Sequence, residues 1–537
     1  MADFNIADLW ELLADAAEDN EVLVAGTQRR TYRQLEERAN RLANHLLAAG
    51  VRPGDHVGLY SFNRAEFFEV LIATWKIRAV PININYRYVE HELRYLLSDS
   101  ECVAMVYERR YGDRLAALAD ELPGLTAYIA LGDDEAVDPA DDVATAVPYE
   151  QALAAASPAR EFGPRSADDI YIVYTGGTTG MPKGTMWRHE DIFFGALGGG
   201  GWPGTPVGTP EEIVRNAARD FRMTFMPVAP LMHGAAQWYA TGGILAGHRI
   251  VLYTGRTFDA AELLGIIAAE KVNSVQIVGD AMARPLAGAV RDGDHDLSSW
   301  YGIGSGGAVF SEPVQAELKS LVPQLTINDS YGSSELGAGG NGVAKDAGAN
   351  PGGPRFRMDP NVTVLDEITL RPLEPGTGRV GRIARTGHIP LGYWKDEAKT
   401  AETFPTVDGV RYVVPGDHGL LEADGTIVML GRGSVCINSG GEKIYPEEVE
   451  VALKAHPAVY DTVVVGVPDE RWGSRVVAVI ATTEGESATY DELAAHARTL
   501  VAGYKVPREI VFVPELVRTN VGKADYKWAA AVAAGTV

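Results

Sequence analysis

Tyr174-Thr-Gly-Gly-Thr-Thr-Gly-Met-Pro-Lys-Gly184 follows directly on an apolar run, residues 170–174, that reads as a strand. Small and hydroxylated residues ending in a lysine are what a polyphosphate-cradling loop requires. Glycine lets backbone N–H groups approach oxygens, threonine adds donors, and lysine supplies charge. A triphosphate is the natural occupant. The loop is not Walker A, in which Lys comes straight after Gly and before Ser or Thr; here Met181 and Pro182 separate Gly180 from Lys183. The P-loop NTPase reading therefore falls.

Outward from this loop, short apolar runs alternate with amphipathic helices. Thr31 and Gln34 have capping-box spacing, Leu35, Ala39, Leu42 and Leu46 share one helical face, and Gly50 ends the helix. Strands are expected at 57–60, 249–253 and 274–278, which predicts a layered α/β architecture with a mostly parallel sheet. The acidic segment 133–142 and the Gly- and Pro-rich run 195–208 carry too little apolar surface to pack and read as mobile loops. From about Arg432 the pattern restarts: a helix at 446–453, strands at 462–467 and 475–481, a helix at 490–502 and a strand at 510–513. That predicts a compact α+β domain of its own.

The chain has 537 residues, enough for three or four domain-sized units. Its 72 acidic against 48 basic side chains give a net charge of −24, which disfavours nucleic acid and anionic membrane surfaces as partners, so an anionic ligand needs a locally positive pocket. Cys102 and Cys436 are far apart and have no second Cys at metal-ligand spacing, which argues against a disulfide scaffold or a zinc site. The acidic start lacks the basic and apolar regions of a signal peptide, and no apolar run reaches spanning length; a cytoplasmic protein without a membrane is the expectation.

Six more stretches stand out: Pro230-Leu-Met-His233-Gly, Asp329-Ser-Tyr-Gly-Ser-Ser-Glu335, Gly392-Tyr-Trp-Lys, Pro415-Gly-Asp417, Gly431-Arg-Gly-Ser-Val-Cys-Ile-Asn-Ser-Gly-Gly-Glu-Lys443 and Arg518-Thr-Asn-Val-Gly-Lys523-Ala-Asp-Tyr-Lys527. With the 174–184 loop they resemble the adenylate-forming superfamily of acyl-CoA synthetases, luciferases and peptide-synthetase adenylation domains, over nearly the whole chain. The resemblance implies an N-terminal domain over 1–433, with layered α/β subdomains and a small β-barrel-like part, and a mobile α+β domain over 434–537 that pivots at Ser434. It assigns nucleotide contacts to Thr175, Gly176, Gly177, Thr178, Thr179, Gly180 and Lys183, and to Asp329, Tyr331, Gly332, Ser333 and Ser334. Within these, Tyr331 lies against adenine and Ser334 meets the α-phosphate. Asp417 would hold both ribose hydroxyls, since a carboxylate accepts two hydrogen bonds at once, and Arg432 would contact ribose or phosphate. Glu335 would carry Mg²⁺, which takes hard oxygen ligands and usually one or two protein carboxylates beside phosphate.

Gly302-Ile-Gly-Ser-Gly-Gly307 fits the dinucleotide fingerprint G-x-G-x-x-G, but no clear strand feeds it. The family instead places Gly306, Gly307 and Ala308 against adenine and the acyl group. His233 would gate the acyl channel, although a satisfied core histidine is the competing reading. Gly440 and Gly441, with Gly307, would line the tunnel for the pantetheine thiol. Lys523, one of only 12 lysines beside 36 arginines, would bridge the attacking carboxylate and the α-phosphate, a task suited to a point ammonium.

The implied reaction consumes ATP and a carboxylic acid, forms an acyl-adenylate with release of pyrophosphate, and transfers the acyl group to CoA with release of AMP. The longer strings around 177–191, 387–404 and 431–450 look most like bacterial CoA ligases for steroid side-chain acids, which makes a bulky steroid- or terpenoid-like acid the expected substrate and leaves medium-chain fatty and aryl acids open. Gly177, Ser334, Ser434 and Asn520-Val521 depart from the commonest family pattern. Two alternatives follow: a member that only transfers a preformed acyl-adenylate to CoA, and a non-catalytic acyl-adenylate-binding regulator. Oligomeric state is not written in these motifs, and a homodimer remains open.

Overall fold

The computed structural model describes residues 4–88, 90–132, 142–175, 181–202, 204–218, 222–308, 310–342, 354–439, 442–469, 472–501, 503–519 and 523–536. They fall into two compact units: residues 1–276, 295–302 and 388–402 form the first, and 277–294, 303–387 and 403–537 the second. The border expected at 433/434 lies inside the second unit.

In the first unit the predicted parallel pairing is present twice. Val80–Asn83, His56–Tyr60, Cys102–Glu108, Ala127–Leu131 and Val147–Pro148 make a five-stranded sheet, parallel throughout. Ser274–Ile277, Thr224–Pro227, Arg249–Leu252 and Glu21–Ala25 pair in parallel in that order, and Gln28–Thr31 adds an antiparallel edge. Helix Tyr32–Ala48 starts at the expected capping box and buries Leu35, Ala39, Leu42 and Leu46. Burial on both faces accounts for the unbroken apolar runs.

The first part of the glycine-rich run, 195–202, is packed rather than loose, whereas 204–206 and 208 are exposed, as a surface loop would be. Gly199, Gly200 and Gly201 are buried, Trp202 packs its ring 5.0 Å from Phe225 and 5.0 Å from Tyr239, and Asn216 donates to the Gly200 carbonyl. Glycines let backbone, rather than side chains, fill the space beside Phe193 and Ile213. Of the acidic segment only Asp142 is among the described residues; it is buried and accepts a hydrogen bond from the Tyr107 hydroxyl.

The second unit is largely antiparallel. Arg355–Met358, Thr426–Arg432, Asp417–Leu421, Val380–Arg385 and Val362–Leu365 follow one another across the sheet over a core of Phe356, Val364, Ile383 and Ile427. Toward the chain end, Val459–Asp469, Gly473–Thr482 and Glu509–Val513 form a three-stranded sheet. Its residues alternate between two cores: Val464, Val476, Ala478 and Ile480 pack with Val449, Leu453 and Leu493, whereas Val463, Val465, Val477 and Val479 pack with Ala529 and Ala533. The period of two delivers a valine to either layer, so helices Pro446–Lys454 and Tyr490–Leu500 cover one face and Tyr526–Ala533 the other.

No helix among the described residues is long and apolar enough to cross a membrane.

Candidate active site

Strands Ile170–Thr175 and Lys183–Arg188 are antiparallel, with Thr175 opposite Lys183. Gly176, Gly177, Thr178, Thr179 and Gly180 themselves lie outside the described residues, as do Gly440, Gly441, Asn520 and Val521 and the side chains of Arg432 and Ser434. Lys183 forms an ion pair with Asp396 and sits 5.8 Å from the Tyr393 ring centre. Asp396 also accepts from the Lys399 amide at 2.9 Å, at the start of helix Glu397–Thr403; the hydrogen bond from Lys183 and that from the amide hold its carboxyl below the usual range.

One residue that sequence reading missed organises this end of the first unit. Asn83, buried at the end of its strand, donates to the carbonyls of Tyr174 (2.9 Å) and Met232 (2.6 Å) and accepts from the Tyr174 amide (2.8 Å). A single amide thus ties strand Ile170–Thr175 to the residue before His233. No motif marks it, because a lone Asn has no spacing partner in sequence. His233 is half-buried and caps helix Gly234–Leu245; its amide donates to Pro230 at 3.0 Å and its carbonyl accepts from Gln237 at 3.1 Å.

The second unit brings together residues far apart in the chain. Asp417 is 3% exposed and accepts from the Tyr331 hydroxyl at 2.7 Å, while the Tyr331 ring centre lies 5.7 Å from that of Phe356. In the ladder Asp417 faces Arg432. Gly332 follows a register shift in the pairing of Thr326–Ser333 with Gly337–Gly342, and a Cβ there would meet the Gly337 carbonyl at 2.4 Å. Only glycine lets the two backbones approach this closely. The turn holding Ser334 and the half-buried Glu335 is fastened by the Ser333 hydroxyl, which accepts from Leu336 at 3.1 Å. Arg385 adds two bonds, donating to the carbonyls of Leu336 at 2.7 Å and Ala338 at 3.1 Å. Burial, with the nearby Asp280 charge adding to it, pushes the Asp329 carboxyl up to about 7.

Gly302–Gly306 is itself a strand, so the G-x-G-x-x-G stretch does not form the turn between strand and helix that a dinucleotide site needs. Its end leads to the other candidates. A Cβ on Gly306 would lie 3.4 Å from the Ser330 carbonyl, next to Tyr331, and one on Gly307 would lie 4.0 Å from Cε of Lys523. The half-buried Ala308 follows. Lys523 is exposed and its loop is closed on itself: Thr519 donates to the Lys523 carbonyl at 2.8 Å, and the Lys523 amide donates back to the Thr519 hydroxyl at 3.2 Å. Gly306, Gly307, Tyr331, Asp417 and Lys523 are thereby linked within one unit. Thr175, Lys183 and His233 belong to the other.

Mg²⁺ with nucleotide demands little of the protein beyond one or two carboxylate oxygens. The Glu335 carboxylate, on a turn fastened on both sides, suits that demand.

The family model for AMP-binding enzymes matches residues 11–394, and that for the AMP-binding enzyme C-terminal domain matches 448–523. A 3-oxocholest-4-en-26-oate–CoA ligase of Rhodococcus rhodochrous is 49% identical over 533 residues, covering 98% of this chain and 95% of the relative. A medium/long-chain-fatty-acid–CoA/3-oxocholest-4-en-26-oate–CoA ligase of Mycolicibacterium smegmatis is 47% identical over 531 residues, covering 98% and 96%. Among solved structures, ATP-bound MatB from Rhodopseudomonas palustris superposes with a TM-score of 0.82 at 24% identity, over 99% of both chains, a likeness of fold. Motifs, fold and relatives agree, and the chain belongs to the AMP-binding enzymes, the adenylate-forming superfamily that includes the acyl-CoA ligases.

Proposed function

We propose that the protein is an AMP-forming acyl-CoA synthetase for a bulky polycyclic acid such as a steroid side-chain carboxylate. The identity to 3-oxocholest-4-en-26-oate–CoA ligases supports the acid class. The observation that carries the mechanism is the approach of Lys523 to Gly307 beside the Tyr331–Asp417 pair.

In the first step a carboxylate oxygen of the acid attacks the α-phosphorus of ATP; the new bond makes the mixed anhydride, and the bond to the β-phosphate oxygen breaks to release pyrophosphate. The ammonium of Lys523 offsets negative charge gathering on the phosphoryl oxygens. Asp417 accepts from the ribose hydroxyls, and Tyr331 backs it with a hydrogen bond while its ring lies against adenine. Thr175, Lys183 and the loop between them take the triphosphate, whose charge competes with Asp396 for the Lys183 ammonium. Glu335 would hold Mg²⁺, which neutralises phosphate charge when bound. In the second step the thiolate of CoA attacks the acyl carbonyl and AMP leaves. The two steps need different groups at one carbonyl, so residues 434–537 swing about Ser434, withdrawing Lys523 and bringing in Gly440 and Gly441. His233 gates the acyl channel.

Pyrophosphate exchange with a panel of polycyclic, fatty and aryl acids tests this reading, with the thioester product identified by mass. Wild type should exchange, and Lys523→Ala should lower exchange by about 10²–10³-fold while thioester formation from supplied acyl-adenylate persists. No exchange in wild type, with CoA transfer from acyl-adenylate intact, would leave only the transferase; tight nucleotide binding with neither product would leave the regulator.

A further inference from the structure

Strand Val459–Asp469 pairs with Gly473–Thr482 through a register shift: Val459 faces Thr482 and Asp461 faces Ala481, so Tyr460 is an extra residue, a β-bulge. A bulge re-aims the side chains on either side of it. Here Asp461 turns inward, 7% exposed, where it holds Lys454 at 2.8 Å and forms an ion pair with Arg518. Tyr460 turns outward, 41% exposed, and its ring lies under the Arg284 guanidinium at 5.0 Å. Arg284 belongs to helix Gly279–Asp292 and is steadied by Asp280 at 3.2 Å.

Both contacts bear on Lys523. Arg518 opens the lysine loop and forms an isolated bridge with Ala524, just after Lys523, so the Asp461 ion pair fastens one end of that loop. The other end is fastened by Asp525, which accepts from the amides of Lys527 at 3.1 Å and Trp528 at 3.0 Å and caps helix Tyr526–Ala533. The Arg284–Tyr460 stack joins this part of the chain to helix Gly279–Asp292, and its orientation is the one in which Lys523 Cε approaches Gly307.

We infer that the bulge at residues 459–461 is a positioning element for the adenylation step. Asp461 sets the lysine loop through Arg518, and Tyr460 holds, through Arg284, the orientation that delivers the ammonium. Neither residue touches substrate. The inference rests on the role of Lys523 proposed above.

The test measures both half-reactions separately in Tyr460→Ala, Tyr460→Phe, Asp461→Asn and Lys523→Ala. A cation–π contact at an exposed site accounts for about a two- to fivefold effect, so Tyr460→Ala should lower the pyrophosphate-exchange rate by that factor at unchanged KM for ATP, and Tyr460→Phe, which keeps the ring, should restore it. Misplacing a reacting group by 1 Å costs about 10²-fold, the loss expected for Asp461→Asn. Thioester formation from supplied acyl-adenylate should stay at the wild-type rate in Tyr460→Ala, whose altered side chain lies outside the core. Losses shared by both half-reactions in Tyr460→Ala, or undiminished exchange in both Tyr460→Ala and Asp461→Asn, would overturn the inference. Exchange that survives in Lys523→Ala would instead overturn the proposed role of the lysine, and the inference with it.

Discussion

Tyr331 and Asp417 stand 86 positions apart and share one buried hydrogen bond. A carboxylate taken out of water needs its acceptor sites occupied, and losing a donor to it costs about 1–3 kcal/mol. Tyr331→Phe should therefore lower stability by about 1–2 kcal/mol and raise KM for ATP several-fold, checked by denaturant melts and exchange kinetics. Asp329 offers a pH readout. Its carboxyl is protonated in the fold up to about pH 7, against an ordinary value of 3.8, so the folded state binds more protons than the unfolded one between these values. Stability then falls as pH rises from 4 through 7. Asp329→Asn, which cannot ionise, should be more stable than wild type at pH 8 by up to about 4 kcal/mol, and the difference should shrink toward pH 4; melting temperatures across that range decide it. Motif reading found Asp329 and Asp417 as residues, but not the proton on one or the hydrogen bond on the other. Both depend on what the fold places around a carboxylate.

At the scale of elements, hydrophobic periodicity was a good guide where one face of a helix or both faces of a strand are buried. Helix Tyr32–Ala48 and the elements from Pro446 to Val513 lie close to where their patterns put them. It failed for 195–202, because glycine contributes no apolar side chain to the pattern while its bare backbone packs well. A Cβ on Gly201 would meet the Thr205 carbonyl at 1.7 Å, so Gly201→Ala should cost about 2–3 kcal/mol, measured as a lower unfolding midpoint. Asn83 belongs to this scale too, since it joins strand Ile170–Thr175 to the turn at Met232 through their backbones. Asn83→Asp keeps the size and removes both donors, so it should raise KM for ATP and lower stability by about 2–4 kcal/mol, whereas the helix Tyr32–Ala48 elsewhere in the unit should keep its hydrogen-exchange protection.

For the whole molecule, the candidate nucleotide residues at 306–307, 330–331 and 417 approach one another only in the folded chain, so a stable acyl-adenylate analogue should bind the native state alone. At a concentration 100 times its Kd it should stabilise by about 2.7 kcal/mol, read as a rise in Tm that Tyr331→Phe reduces at the same concentration. The sequence by itself determined the superfamily and the alternation of strands and helices, because family motifs and hydrophobic periods are residue types at short, local spacings. Only the tertiary structure decided that Lys523 lies by Gly307, that Asn83 ties a strand to the turn before His233, and that a one-residue bulge turns Asp461 toward Arg518 and Tyr460 toward Arg284. Those contacts join residues from distant parts of the chain, and distance along the chain carries no information about approach in space until the strands have paired and the cores have closed.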